Sequence, residues 1–175
     1  MSIYVFRYSP FPEESCCPNL EKLVLEAASE LEKTTTYQRY AEFKDAPGIT
    51  DCLTSIQYIF RRALIIMAIT YIGDLPRRLL SSDRWRVLKI DVKDAKCGDV
   101  LFAKKIGKER LISHAALFVG EDKIFHCYQS LGKARTESSE QFFSIYEQTL
   151  GFTEMIRYID YRNKLREILG TFIKV

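Results

Sequence analysis

The sequence predicts an α+β domain in which N-terminal helices pack on an antiparallel sheet of about five strands. Three observations predict it. Apolar residues recur at helical spacing up to about residue 73. Beyond Gly98 the texture changes to short runs rich in apolar, β-branched and aromatic residues, several of them separated by glycine. The chain has 175 residues and is 47% hydrophobic, enough for one domain with a sizeable core. Helices followed by a run of strands is the order of an α+β fold.

Residues 1–17 are aromatic and proline-punctuated and read as an extended arm. In "CPNLEKLVLEAASELEKT" the residues Leu20, Leu23, Leu25, Ala28 and Leu31 fall at roughly helical steps, with Asn19 as the N-cap. A polar and aromatic stretch then ends at Pro47–Gly48, a turn signal. The second helix begins at Thr50–Asp51. Leu53, Ile56, Ile59, Phe60, Ala63, Leu64 and Met67 give it a wide apolar stripe, as expected of a central helix against a sheet. It is expected to end by Gly73, because Pro76 cannot continue it. Trp85 reads as a packing anchor, and Asp99 as the residue that turns the chain into the first strand.

The predicted strands are "DVLFAKK", "RLISHAALFVG", "KIFHCYQ", "KARTES" and "TEMIRYID", with Gly107, Gly120, Gly132 and Gly151 between several of them. The domain is expected to span 18–160, and a helical tail 161–175.

Composition narrows the function. The net charge is +3, with 26 basic and 23 acidic residues, so nothing marks a nucleic-acid partner. The longest apolar run, Ala63–Gly73, is shorter than the roughly 18–20 residues of a membrane span. The first residues lack the pattern of a secretory leader, so a cytoplasmic location is the default expectation, with a specialised secretion route as the alternative. Five cysteines, an odd number with Cys16 and Cys17 adjacent, do not form a disulfide framework. With no C-x-x-C pair and only two histidines, no metal and no cofactor are predicted.

The chemistry sits on three residues. Cys52 falls on the first turn of the central helix, where free N–H groups and the helix dipole favour an anion, so its thiol pKa is expected to be lowered. A nucleophilic cysteine needs a base within hydrogen-bond reach. The only two histidines, His114 and His126, lie on two consecutive predicted strands separated by a tight turn at "GEDK". In a hairpin centred near Glu121–Asp122 they are near-opposite neighbours on one face. One imidazole can then serve as base and the other can orient it. Cys127 alternates to the other face and reads as core.

These residues resemble a family. "TDCLTSIQYIFRRA", "LPRRLLSS", "CGDVLFAKK", "ISHAALFVGEDK" and "IFHCYQSLGKAR" are similar, in order and spacing, to the motifs of the NlpC-type cysteine peptidases, papain-like bacterial cell-wall endopeptidases. The resemblance covers about residues 20–160. It implies a papain-like fold with Cys52 as nucleophile, His114 as base and His126 as the orienting residue. It also implies a tyrosine near the oxyanion at Tyr40, a substrate-amine contact at Asp51, whose plainer reading is an N-cap, and a carboxylate contact at Arg77. The implied substrate is a murein-derived peptide, cut at its γ-D-glutamyl-diaminopimelyl bond. Leu53-Thr54 stand where the family has Ser-Gly. A papain-like acyltransferase or thioesterase, and an inactive peptide-binding relative, are the alternative readings.

Overall fold

The computed structural model describes residues 18–63, 65, 67, 85–88, 94–105, 112–120, 122–146 and 150–158. The arm expected at 1–17, the tail expected at 161–175, Arg77 and Gly107 lie outside them.

Helix α1 (Pro18–Thr34) opens on proline, which suits the first helical position because its missing N–H would have no partner there. Asn19 is therefore inside the helix and not its cap. The buried stripe is Val24, Ala27, Ala28 and Leu31, and Leu25 is exposed. Val24, rather than its larger neighbour, completes the i, i+3, i+4, i+7 spacing that one helix face requires.

Two short parallel strands, β1 (Thr36–Tyr37) and β2 (Ile49–Thr50), follow. The N–H of Thr36 donates to the Gly48 carbonyl, and that of Gln38 to the Thr50 carbonyl, both at 2.9 Å. These bonds clamp the chain immediately before α2 (Cys52–Arg62). Helix α2 is shorter than expected. It ends at Arg62, where the Ile65 N–H skips back to the Phe60 carbonyl (2.8 Å), a wider loop than the helical repeat. Ile65 and Met67 remain buried although the helix has ended. Apolar spacing therefore persists past the helix as core packing.

Among the described residues the main sheet has six strands: β3 (Trp85–Leu88), β4 (Val100–Lys105), β5 (Ile112–Gly120), β6 (Lys123–Tyr128), β7 (Lys133–Ser138) and β8 (Leu150–Tyr158). Their spatial order is β3-β8-β4-β5-β6-β7, and every neighbouring pair is antiparallel. The expected meander is real from β4 to β7. The last strand returns to the far edge of β4 and brings in β3, a strand the sequence reading did not assign. Gly151 lies within β8 rather than between strands. Asp99 behaves as expected: its Oδ2 accepts the Lys96 N–H at 2.8 Å in the turn before β4.

The sheet is covered on both faces. On one, Val100, Phe102, Ala115, Leu117, Val119, Phe125 and Cys127 meet the stripes of α1 and α2. On the other, Leu101, Ala103, Ala116, Phe118 and Ile124 meet Phe142 of a third helix, α3 (Ser139–Tyr146). Helix α3 was missed in the sequence, yet its start is marked. Ser138 Oγ accepts the Gln141 N–H (3.1 Å), and Gln141 Oε1 accepts the Ser138 N–H (3.3 Å). That reciprocal pair is a capping box, legible as S-x-x-Q.

Register between β5 and β6 decides where the histidines stand. Gly120 pairs with Lys123, but past a bulge Phe118 pairs with Ile124 and Leu117 with Phe125. Gly120 takes φ +113, and a Cβ there would stand 2.7 Å from Glu21 Oε1. The glycine permits both the turn and the bulge. Replacing it, Gly120→Ala, is expected to cost about 1–3 kcal/mol in denaturant unfolding. A change below about 0.5 kcal/mol, the size of an ordinary surface substitution, would show that the hairpin does not depend on it.

Candidate active site

Cys52 owes its position to the cap of α2. Asp51 has extended backbone, and its Oδ1 accepts the N–H groups of Leu53 (2.9 Å) and Thr54 (2.8 Å). Thr54 Oγ1 accepts the Asp51 N–H in return (2.8 Å) and donates to Oδ1 (3.0 Å). Asp51 thus acts as the N-cap. Thr54, which departs from the Ser-Gly pattern, completes the box that fixes the first turn. Below it, Thr50 Oγ1 contacts Thr35 Oγ1 at 2.8 Å and donates to Cys127 Sγ at 3.5 Å. Cys127 is fully buried on the helix-facing side, as the alternation from His126 requires.

The first turn of α2 lies against β5 beyond the last register pair with β6, Leu117 to Phe125. There the Ala115 backbone N–H is directed at Cys52 Sγ, as is the N–H of Cys52 itself, and both favour the thiolate. They do not prevail. Burial, and next the Asp51 carboxylate, push the thiol up to about 12. The lowered thiol pKa expected from the helix N-terminus is therefore corrected. The thiol is only 8% exposed, and desolvation outweighs the dipole.

His114 precedes Ala115 on β5 and faces the α3 side of the sheet by alternation. Its ring meets His126 edge-on, with centroids 5.7 Å apart. It meets Tyr128 at 4.7 Å, and the His126 ring meets Phe142 at 4.9 Å. The two imidazoles are neighbours on one face, as the hairpin predicts. Both are buried, His114 at 1% exposure and His126 at 0%. Among the described residues, neither ring nitrogen of His114 has a hydrogen-bond partner. A buried polar group left so costs about 1–3 kcal/mol and marks a strain reservoir or a catalytic role.

Burial, and next His126, lower His114 to about 3. Burial, and next the Arg135 guanidinium, lower His126 to about 4. Both rings are therefore neutral at pH 7, as is the thiol. All three groups are uncharged at rest, and the electrostatic partners of the thiol are Asp51, Cys127 and the N–H groups of Ala115 and Cys52, with neither imidazole among them.

Two tyrosines are electrostatically coupled to the thiol. Tyr37 is raised to about 12 by burial and then by Cys52. Tyr128 is raised by the same two causes in the same order. Tyr40, the residue expected beside the oxyanion, is 77% exposed with Arg39 over its ring at 4.8 Å. Its backbone has φ 62, and its side chain stands out in solvent. Tyr37, three residues earlier, is held by β1 and is, with Tyr128, one of the two tyrosines coupled to Cys52. Sequence reasoning also missed Glu137 on β7, whose buried Oε2 lies 3.4 Å from His126 Nε2. Among the described residues no three His, Cys, Asp or Glu side chains form a metal-ligating group.

The burial of two neutral imidazoles makes stability depend on pH in a definite direction. In the unfolded chain they protonate near 6.5, but in the fold only near 4 and 3. Between those values the unfolded state binds more protons, so stability is lost as pH falls from about 6.5 towards 4 and below. The slope can reach about 1.4 kcal/mol per pH unit for each ring. Denaturant melts from pH 7.5 to 4 should show this loss, and His114→Asn should flatten it. A flat wild-type profile would contradict the burial of neutral rings.

No family model matches the chain, and no curated protein matches it by sequence. Solved structures do match by shape. NlpC1 from Trichomonas vaginalis is similar with a TM-score of 0.61 at 16% identity, covering 87% of this chain and 48% of that one. NlpC2 from the same organism has a TM-score of 0.60 at 18% identity, covering 83% and 48%. The peptidoglycan hydrolase RipB from Mycobacterium tuberculosis has a TM-score of 0.53 at 16% identity, covering 82% and 66%. The chain spans about half the length of the two Trichomonas structures. Its helices, its antiparallel sheet and its similarity to these structures give one conclusion: the chain has the α+β, papain-like fold of the NlpC/P60 proteins.

Proposed function

We propose that the chain is a cysteine hydrolase that cleaves an amide bond in peptidoglycan stem peptides, with Cys52 as nucleophile, His114 as base and His126 as the group that orients His114. The observation that carries this reading is His114. It is a buried imidazole with two unpartnered nitrogens, in edge contact with the only other histidine. It directly precedes the residue whose N–H faces the Cys52 thiol. The shared fold with a peptidoglycan hydrolase supports the substrate class.

The chemistry follows from neutral partners. His114 takes the thiol proton as Cys52 Sγ attacks the amide carbonyl, so charge separates only when substrate is present. The Cys52 N–H at the helix start donates to the developing oxyanion, with Tyr37, which is coupled to the thiol, as a second donor. Protonated His114 then gives its proton to the departing amine. Water, deprotonated by the same imidazole, releases the acid from the thioester and restores the thiol. Asp51 is engaged as a cap through Oδ1, so a role toward a substrate amine falls to its other oxygen.

The test is a digest of γ-D-glutamyl-diaminopimelyl stem peptides, read by product mass, with wild type beside Cys52→Ala. Wild type should cleave, and the variant should lose at least about 10³-fold in rate. Equal cleavage by both would remove Cys52 from the nucleophile's role. Intact peptide with wild type, when a thiol probe still modifies Cys52, would reject the cell-wall substrate.

A further inference from the structure

The ladder between β6 and β7 pairs His126 with Arg135 and Ile124 with Glu137. The two-residue step puts Arg135 and Glu137 on the same face as His126. The Glu137 side chain is 1% exposed. Its Oε2 lies 3.4 Å from His126 Nε2, an ion-pair distance at which the two are not yet aligned as a hydrogen bond, and its Oε1 lies 3.1 Å from Arg135 Nε. Arg135 is half exposed, so one carboxylate links a solvent-facing cation to a fully buried imidazole. Burying a carboxylate is costly unless its partners are well placed. Nothing in the β6–β7 pairing itself requires an acid at that position.

We propose that Glu137 is a positioning residue of the site: it accepts the Nε2–H of His126, and through that ring it sets the orientation and tautomer of His114. The inference rests on the cysteine-hydrolase reading. A neutral imidazole has one N–H and one lone pair. With Nε2–H turned to Glu137, His126 presents the Nδ1 lone pair to its surroundings. The neighbouring His114 stands edge-on at 5.7 Å without a hydrogen bond to it, and when a ring rotation brings the two into reach His114 can give it only an N–H. The remaining nitrogen of His114 then carries the lone pair that accepts the Cys52 proton. When His114 becomes imidazolium, the carboxylate stabilises it through the intervening ring, and no proton leaves His126. Among the described residues the charged or titratable groups placed about His126 are Glu137 and Arg135 on β7 and His114 on β5, while Phe142 of α3 closes the site with an apolar ring.

The test uses the full chain labelled with nitrogen-15. Proton–nitrogen correlation of the two imidazoles at pH 7 reads each tautomer directly, without substrate. His126 in the wild type should carry its proton on Nε2. In Glu137→Ala that preference should be lost, and in Arg135→Gln, which breaks only the outer ion pair, it should persist. Hydrolysis of the stem peptide should fall about 10- to 100-fold in Glu137→Gln, the range typical of outer-shell partners that orient an imidazole, and Glu137→Asp should recover part of it. A wild-type proton on Nδ1, or a tautomer unchanged by Glu137→Ala, would overturn the proposal. A tautomer that shifts as expected in a chain that cleaves no stem peptide would support the role of Glu137 and reject the cell-wall substrate instead.

Discussion

The N-terminus of α2 rests on β5 at Ala115, and the site is organised around that contact. Two features make it possible. The pairing of β5 with β6 stops at Leu117 and Phe125, which leaves the Ala115 N–H to face the Cys52 thiol. The box of Asp51 and Thr54 fixes the first turn of the helix so that the thiol meets it. Ala115 and Ala116 put small side chains on the two opposite faces of β5 beside Cys52. Bulk at Ala115 would push α2 away from β5.

Desolvation then sets the chemistry. A thiol held near 12 and imidazoles held near 3 and 4 store no separated charge at rest. In the proposed mechanism their proton transfer is coupled to substrate binding, since a bound amide would supply the oxyanion whose charge the helix N–H groups can stabilise. The carboxylate of Glu137 and the guanidinium of Arg135 form the one close charge pair beside the rings among the described residues. This differs from a site activated in advance by the helix dipole, where the thiolate would already be formed.

Much of this was legible in the sequence. Four of the five expected strands lie within two residues of the observed ones, because alternation and glycine turns mark them clearly. Cys52 at a helix start and the two histidines on consecutive strands followed from residue type and spacing alone. What escaped has physical reasons. Apolar spacing does not separate helix from buried irregular chain, so α2 was drawn past Arg62. Strand β3 is four residues whose partner, β8, lies some seventy positions later in the chain, too remote for local pattern. Glu137 looks like a solvated charge in "KARTES", and only the fold turns it inward beneath His126. Nothing in its spacing singles out Tyr37, and only the fold of β1 brings it into the electrostatic surroundings of Cys52.

The central claim is that Cys52 and His114 react as one unit although both are buried and neutral. The most direct measurement is the rate of alkylation of Cys52 at pH 7, resolved by peptide mass, in wild type and in His114→Ala of matched melting temperature. The account predicts a rate at least about tenfold lower without the imidazole, because a thiol so far above its ordinary value needs a base to lose its proton. Equal rates in the two proteins would contradict it and return Cys52 to the core.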